Sequence, residues 1–191
     1  ILDSRTIDMN GKKLTITNDI EIRSTVDVNG GELIVNGSVL HSQGNLIANL
    51  GKIIIHGNYH QIGSDSTFDP ETGKITDGRG YLKMQYPSDE VHIIGNMLTK
   101  TPFGDNQFDN GTLYLGGDLS QLNGNSCGFV GGEAHRTVLN GEDEQRISFE
   151  SSASGFGILE TTNTNLIFEK NVNWLIQGSD IQAVSNGAIL N

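Results

Sequence analysis

The sequence is poor in most of what decides a fold or a chemistry at first sight. A single cysteine, Cys127, stands among 191 residues, so no disulfide closes within the chain, and no C-x-x-C pair surrounds it to hold a metal. Only 12 Lys and Arg stand against 23 Asp and Glu, a formal net charge of -11. That field has the wrong sign for phosphates, and no basic cluster interrupts it, which excludes a nucleic-acid partner. No stretch approaches the ~18 consecutive apolar residues of a transmembrane helix, so membrane insertion is not expected. Heptads rich in Ala, Glu, Lys and Leu are missing too, which argues against a coiled coil. Ile1 is not an initiator residue, and the chain reads as a piece of a longer parent with neighbouring domains.

What the sequence has in excess is Gly, 25 in all, and with it Asn. Gly is about twice its usual ~7%, and these two residue types turn a chain tightly at little steric cost. They are spaced by a repeat. Ile7-x-Met9-Asn10 and Leu14-x-Ile16-x-Asn18-x-Ile20 are followed by Val26-x-Val28-Asn29 and Leu33-x-Val35-x-Gly37-x-Val39. Next come Leu46-x-Ala48-Asn49 and Ile53-x-Ile55-x-Gly57-x-Tyr59. Equivalent positions recur without a gap at a period of about 20 residues, short enough for one solenoid repeat. Apolar and polar positions alternate, as on strands with one buried face. A unit of this length cannot bury its own inner face, but stacked on its neighbour it can.

The fold class expected is therefore all-β: a single-stranded parallel β-helix, or β-solenoid, in one domain over residues 1–191. Coils take about 19–22 residues each, with the right-handed sense that crossover connections favour. Regular coils are expected at 5–63 and 81–122, irregular ones at 135–191, and loop excursions at 64–80, 99–110 and 123–133. Val91-x-Ile93-x-Gly95-x-Met97 repeats the core phrase two periods after its last copy, which reads as two coils. At ~20 residues per coil the chain accommodates about nine coils, a rod roughly 45 Å long at the ~4.8 Å strand spacing. Asn10, Asn29 and Asn49 should stack as an amide ladder in the left-handed backbone region. The register of Asn18, Gly37 and Gly57 should also need a positive φ.

The phrase L-x-V-x-G-[NSD]-Φ, with GNYHQIG at 57–63 and GGDLSQLNG at 116–124, resembles the solenoid segments of large secreted or surface-anchored bacterial proteins. HRTVLNGEDEQRISFE at 135–150 resembles a segment of such proteins, H-x-V-x-Φ-x-G-x-x-x-Q-x-[IV]-x-F. It is met by His135, Gly141, Gln145, Ile147 and Phe149, with Thr137 in place of the first Val. The resemblance implies an extracellular or cell-surface, adhesin-like repeat protein with no defined catalytic residues. It implies a role in adhesion, in display or as a scaffold, with a glycan or a host or cell-surface protein as partner.

Candidate chemistry is sparse. His41, Gln61, Thr99 and Gln121 share one register and read as a solvated polar stripe, while His56 and His92 should point outwards. Asp65, Asp69, Glu71 and Asp77 cluster in the first excursion, as a Ca²⁺ site requires. Their spacing does not match an EF-hand, and an ordinary solvated turn is the competing reading. Phe68, Phe103, Phe108 and Phe129 fall in or beside the excursions, where aromatic faces could bind glycan or cap the core beneath the loops. The alternative from another class is a polysaccharide-active β-helix enzyme, a lyase or hydrolase. That chemistry needs carboxylates, or a metal with a basic residue, converging on one outer wall; no Asp-Asp or Arg-x-Lys phrase supplies them, and the His-Gly at His56-Gly57 falls within the repeated phrase itself.

Overall fold

Strands of two to six residues alternate with tight corners throughout the computed structural model, which describes residues 1–3, 5–62, 79–100, 107–122, 128–170 and 173–174. Each turn of the chain lays one strand on each of three sheets. Sheet 1 holds Ile7–Asp8, Val26–Asp27, Gln43–Ile47, Arg79–Met84 and Gln107–Phe108. Its column continues through single bridges at Gly131 and Val130 to Gly155–Phe156 and Asn173–Trp174. Sheet 2 holds Lys13–Ile16, Glu32–Val35, Lys52–Ile55, Glu90–Ile93, Thr112–Leu115, Arg136–Leu139 and Ile158–Thr161. Sheet 3 holds Ile20–Ile22, Val39–His41, Tyr59–Gln61, Met97–Thr99, Leu119–Gln121, Gln145–Phe149 and Leu166–Lys170. Among the described residues all pairings are parallel and join a strand to its equivalent in the next coil, which makes a β-solenoid of about six turns.

The alternation read from the sequence is the inside-outside alternation of the rod. Leu14, Leu33, Ile53, Val91 and Leu113 stack in register on sheet 2, and Leu33, Ile53, Val91 and Leu113 are fully buried. Each such side chain contributes ~1.5–3 kcal/mol by leaving water. Each strand sends only its alternate residues inward, which is why a chain of this polarity can fill the core.

Over the described residues the coil count is lower than the expected nine, and part of the reason is visible in the pairing. Val91 lies directly beside Ile53 although two repeat periods of sequence separate them, so this interval is one coil and not two. Arg79 lies beside Gln43 and Thr99 beside Gln61, so the register is kept on both sides of the additional residues. Seven stacked strands span roughly 29 Å at the ~4.8 Å spacing.

Two kinds of corner connect the sheets tightly. Between sheets 1 and 2, Asn10, Asn29 and Asn49 adopt φ of 44°, 41° and 45°, the left-handed conformation that Asn tolerates. The amides do not stack on one another as expected. Asn29 Nδ2 donates to Asp8 Oδ1 at 2.9 Å and Asn49 Nδ2 to Asp27 Oδ1 at 2.9 Å, because a carboxylate one coil away is the stronger acceptor.

Between sheets 2 and 3 the expected positive φ is not found at Asn18, Gly37 or Gly57; among the described residues the positive-φ glycines are Gly11, Gly30, Gly44 and Gly111. Glycine is needed at the second corner for another reason. A Cβ on Gly37 would lie 2.5 Å from Asp19 N, and one on Gly95 would lie 2.7 Å from Gly57 O, so backbones of successive coils touch there. The residue after each position of this register then caps the next coil. Asp19 Oδ1 accepts from Ser38 N (2.7 Å), Ser38 Oγ from Asn58 N (3.1 Å), and Asn58 Oδ1 from Asn96 N (2.8 Å). Asn96 Oδ1 accepts from Asp118 N (2.8 Å) and Asp118 Oδ1 from Arg146 N (2.8 Å). This chain of caps is the meaning of the [NSD] in the repeated phrase.

Candidate functional site

The third corner, from sheet 3 to sheet 1, is where the chain varies. Segments 62–78, 100–106 and 122–128 all connect the end of a sheet 3 strand, at Gln61, Thr99 and Gln121, to the column of sheet 1. Three successive coils therefore insert residues at one edge of the rod. Thr99 lies within sheet 3 and Phe108 within sheet 1, so the second insertion is narrower than the 99–110 read from the sequence.

The roots of these insertions are held from inside. His41, Gln61, Thr99 and Gln121 do form one column, but it is buried and not solvated: all four side chains face the core with no exposed surface. Each stands two residues after an inward residue of its own strand, Val39, Tyr59, Met97 or Leu119, and strand geometry places it on the same side. Their polar atoms serve the corner. Gln61 Nε2 donates to Gly80 O on the strand that returns from the first insertion. Thr99 Oγ1 bonds to Gln61 Oε1 at 2.9 Å and to Gly128 O at 3.2 Å. Gln121 Nε2 donates to Leu122 O (2.7 Å), while its Oε1 accepts from Ser151 N (2.9 Å). A buried polar group without such a partner costs ~1–3 kcal/mol, so the column trades apolar burial for fixed insertion roots.

His41 ends this column with Nδ1 2.7 Å from the Tyr59 hydroxyl. Burial lowers its pKa to about 4 and pushes the Tyr59 phenol upward. His135 occupies the turn position of Gly111 in the preceding coil. Its Nδ1 donates to Asn110 O at 3.0 Å and its ring stacks on Phe108, centroids 5.0 Å apart. Burial lowers its pKa to about 4 as well.

The aromatic candidates divide. Phe68 and Phe103 lie outside the described residues, as do Asp65, Asp69, Glu71 and Asp77. Phe108 is 1% exposed and Phe129 0%, so neither offers a face to a glycan. Phe108 pairs with Met84 in the inward register of sheet 1. Phe129 packs against Phe108 at 5.1 Å, Phe149 at 5.7 Å and Phe156 at 5.5 Å between centroids. This aromatic cluster widens the core where the third insertion returns.

The segment resembling a bacterial motif is a structural corner. Gly141 lies where a Cβ would meet Gly116 O at 2.3 Å. Gln145 is buried and bonds on both sides: Nε2 donates to Leu115 O (3.0 Å) and Gly117 O (2.7 Å), and Oε1 accepts from Gly141 N (2.9 Å) and Asn163 Nδ2 (2.9 Å). Ile147 and Phe149 enter the core.

On the outer wall of sheet 2, charge is neutralised coil by coil. Lys13 meets Glu32 at 2.7 Å, Lys52 meets Glu90 at 2.8 Å, and Arg136 meets Glu160 at 3.1 Å. The hydrogen bond from Lys52 lowers the Glu90 pKa. His92, outward as expected, stacks on Tyr114 with centroids 4.4 Å apart and touches Glu90 at 3.2 Å. Burial lowers its pKa despite that carboxylate. Ile94, 53% exposed, is the outward apolar residue beside it. No family model, curated protein or solved structure matches the chain.

Proposed function

We propose that the chain is a non-catalytic adhesion, display or scaffold module of a larger secreted or surface-anchored bacterial protein. Its insertions at the third corner engage a glycan or a host or cell-surface protein. The observation that carries this reading is the placement of all three insertions at one edge on successive coils, each rooted by a buried polar side chain. A rigid repeat that projects variable segments side by side is the usual way a scaffold positions recognition loops. The chemistry-bearing groups at the described corners, Gln61, Thr99, Gln121 and Gln145, are spent on bonds between coils. The resemblance of the repeated phrase to bacterial surface solenoids supports the location.

Arrays of glycans and matrix proteins test the proposal. The expected result is a retained ligand whose retention falls at least tenfold when residues 64–78 are replaced by a short turn, with the far-UV spectrum unchanged. A chain that retains nothing, or retains its ligand equally well without the insertion, overturns the recognition role. Release of reducing or unsaturated ends from an acidic polysaccharide would instead favour the enzyme.

A further inference from the structure

We infer that the solenoid carries an acid-sensitive joint on each side of the three coils that bear the insertions, one at His41 and one at His135. Each is a buried imidazole whose Nε2 has no hydrogen-bond acceptor among the described residues. His41 belongs to the coil before the first insertion and reaches across to Tyr59 of the next coil. His135 belongs to the coil after the third insertion and reaches back to Asn110 of the preceding one. In both rings Nδ1 is occupied by a bond across a coil junction, and in both Nε2 is fully enclosed without a hydrogen-bond partner. After a second proton one nitrogen of each ring has no well-formed acceptor, and at His41 the main chain of Gln43 and Gly44 compensates only in part. At His135 the tautomer is fixed, since a carbonyl can only accept and Nδ1 must carry the hydrogen.

The surroundings offer little to hold the added charge. Around His41 stand the Tyr59 hydroxyl and Gly80, whose Cβ, if added, would meet the ring Cδ2 at 2.6 Å. The main chain of Gln43 and Gly44 favours the charged ring, but less than burial opposes it. The nearby Glu21 carboxylate is engaged by Arg23 at 2.7 Å and by Ser42 Oγ at 2.8 Å. Around His135 stand the Phe108 ring and the Asn110 carbonyl. The Asn110 carbonyl and the Asp109 carboxylate favour the charged form there, again less than burial opposes it. Protonation is relieved by opening the junction to water. Because coils of a solenoid contact only their neighbours, the opening stays local.

The sign follows from linkage. The folded pKa of each ring, about 4, lies below the unfolded value of ~6.5. The stability each contributes is therefore complete above ~6.5 and lost as pH falls toward 4. At pH 5 the opening constant of each junction is raised by ~30-fold over its value at neutral pH.

Amide hydrogen exchange, followed at pH 7.5 and pH 5 and corrected for the intrinsic rate, reads this directly. The expected result is a local rise of ~30-fold in opening at each junction. His41→Gln should abolish it at the first junction alone, since Gln61 and Gln121 hold the same inward register, and His135→Asn at the second alone. Retention of the parental pH response at a junction whose histidine has been replaced overturns the inference. Should either variant fail to fold, ring signals of the parent chain decide. Both rings remaining neutral at pH 5.5 supports the joints, and either ring protonated at pH 6 in the folded chain overturns its joint.

Discussion

Replacing Gln145 by Leu isolates what buried polar groups do in this rod. The side chain is 1% exposed and makes four bonds. Two of its partners retain a second bond after substitution: Leu115 O still accepts from Asn140 N at 3.0 Å, and Asn163 Nδ2 still donates to Asp143 O at 2.7 Å. Gly117 O and Gly141 N lose the bond that Gln145 supplies. At ~1–3 kcal/mol for each of the two groups, less ~1–2 kcal/mol returned by the greater apolarity of Leu, the net loss centres on about 2.5 kcal/mol. Gln145→Glu should cost more, because a carboxylate would face the two carbonyls of Leu115 and Gly117. Urea denaturation at pH 7 with far-UV detection measures the loss. Since neighbouring coils add approximately pairwise, the early part of the transition, where the coils after Asn140 separate, should move most. A Gln145→Leu variant within ~0.5 kcal/mol of the parent would refute the claim that this side chain holds the corner.

Two further substitutions separate causes that look alike in the sequence. Gly95→Ala should cost at least ~2 kcal/mol because its Cβ meets Gly57 O at 2.7 Å. Gly11→Ala, with open space around the Cβ but φ of +73°, should cost only the ~1 kcal/mol of left-handed backbone; denaturant melts that reverse this order contradict the assignment. Asp118→Ala removes the acceptor for Arg146 N and should lose ~0.5–1.5 kcal/mol. Asp118→Ser or Asp118→Asn should restore most of that, as Ser38 and Asn96 do in other coils, and equal melts for all three variants would sink the capping ladder.

The repeat was legible because stacking makes equivalent positions face equivalent neighbours, so the even spacing of Leu33, Ile53 and their kin is a direct image of sheet 2. The left-handed Asn29 and Asn49 were legible for the same reason. Their Asp partners were not, since Asp8 and Asp27 lie two residues before Asn10 and Asn29 and bond across coils only once the register is known. Gly37 and Gly95 misled because a positive φ and a close backbone approach select the same residue, and Asn18 at the head of that register pointed to the wrong one. For His41, Gln61, Thr99 and Gln121 the sequence carries two opposed signals: strand parity with Val39, Tyr59, Met97 and Leu119 puts them inside, while their polarity points outwards. Phe108 had no such cue, because the insertion before it hides its register with Met84.

The three corners differ in a way that accounts for where insertions occur. Between sheets 2 and 3, three residues connect the inward positions in each of five coils, at 17–19, 36–38, 56–58, 94–96 and 116–118, and an unbroken run of caps ties each to the next. An added residue there would break bonds in two coils at once. Where that corner does lengthen, before Gln145, the cap from Asp118 to Arg146 N is kept, and Gln145 Nε2 holds the Gly117 carbonyl whose counterparts in earlier coils accept from a glycine NH. The corner between sheets 1 and 2 is tied by Asp8 and Asp27 in the early coils and later by Asp89, whose carboxylate accepts from Leu50, Gln85 and Tyr86 main-chain NH groups at 2.6, 2.7 and 3.0 Å. At the third corner the ties run from inside the core, through Gln61, Thr99 and Gln121, and hold the strand ends while leaving the length of the connection unconstrained. Lengthening a loop between two fixed ends costs only ~0.6 kcal/mol per doubling. Ile53 and Val91 keep their register across the first insertion at that small cost, so the edge best able to carry variable recognition segments is the one whose polar ties point inward.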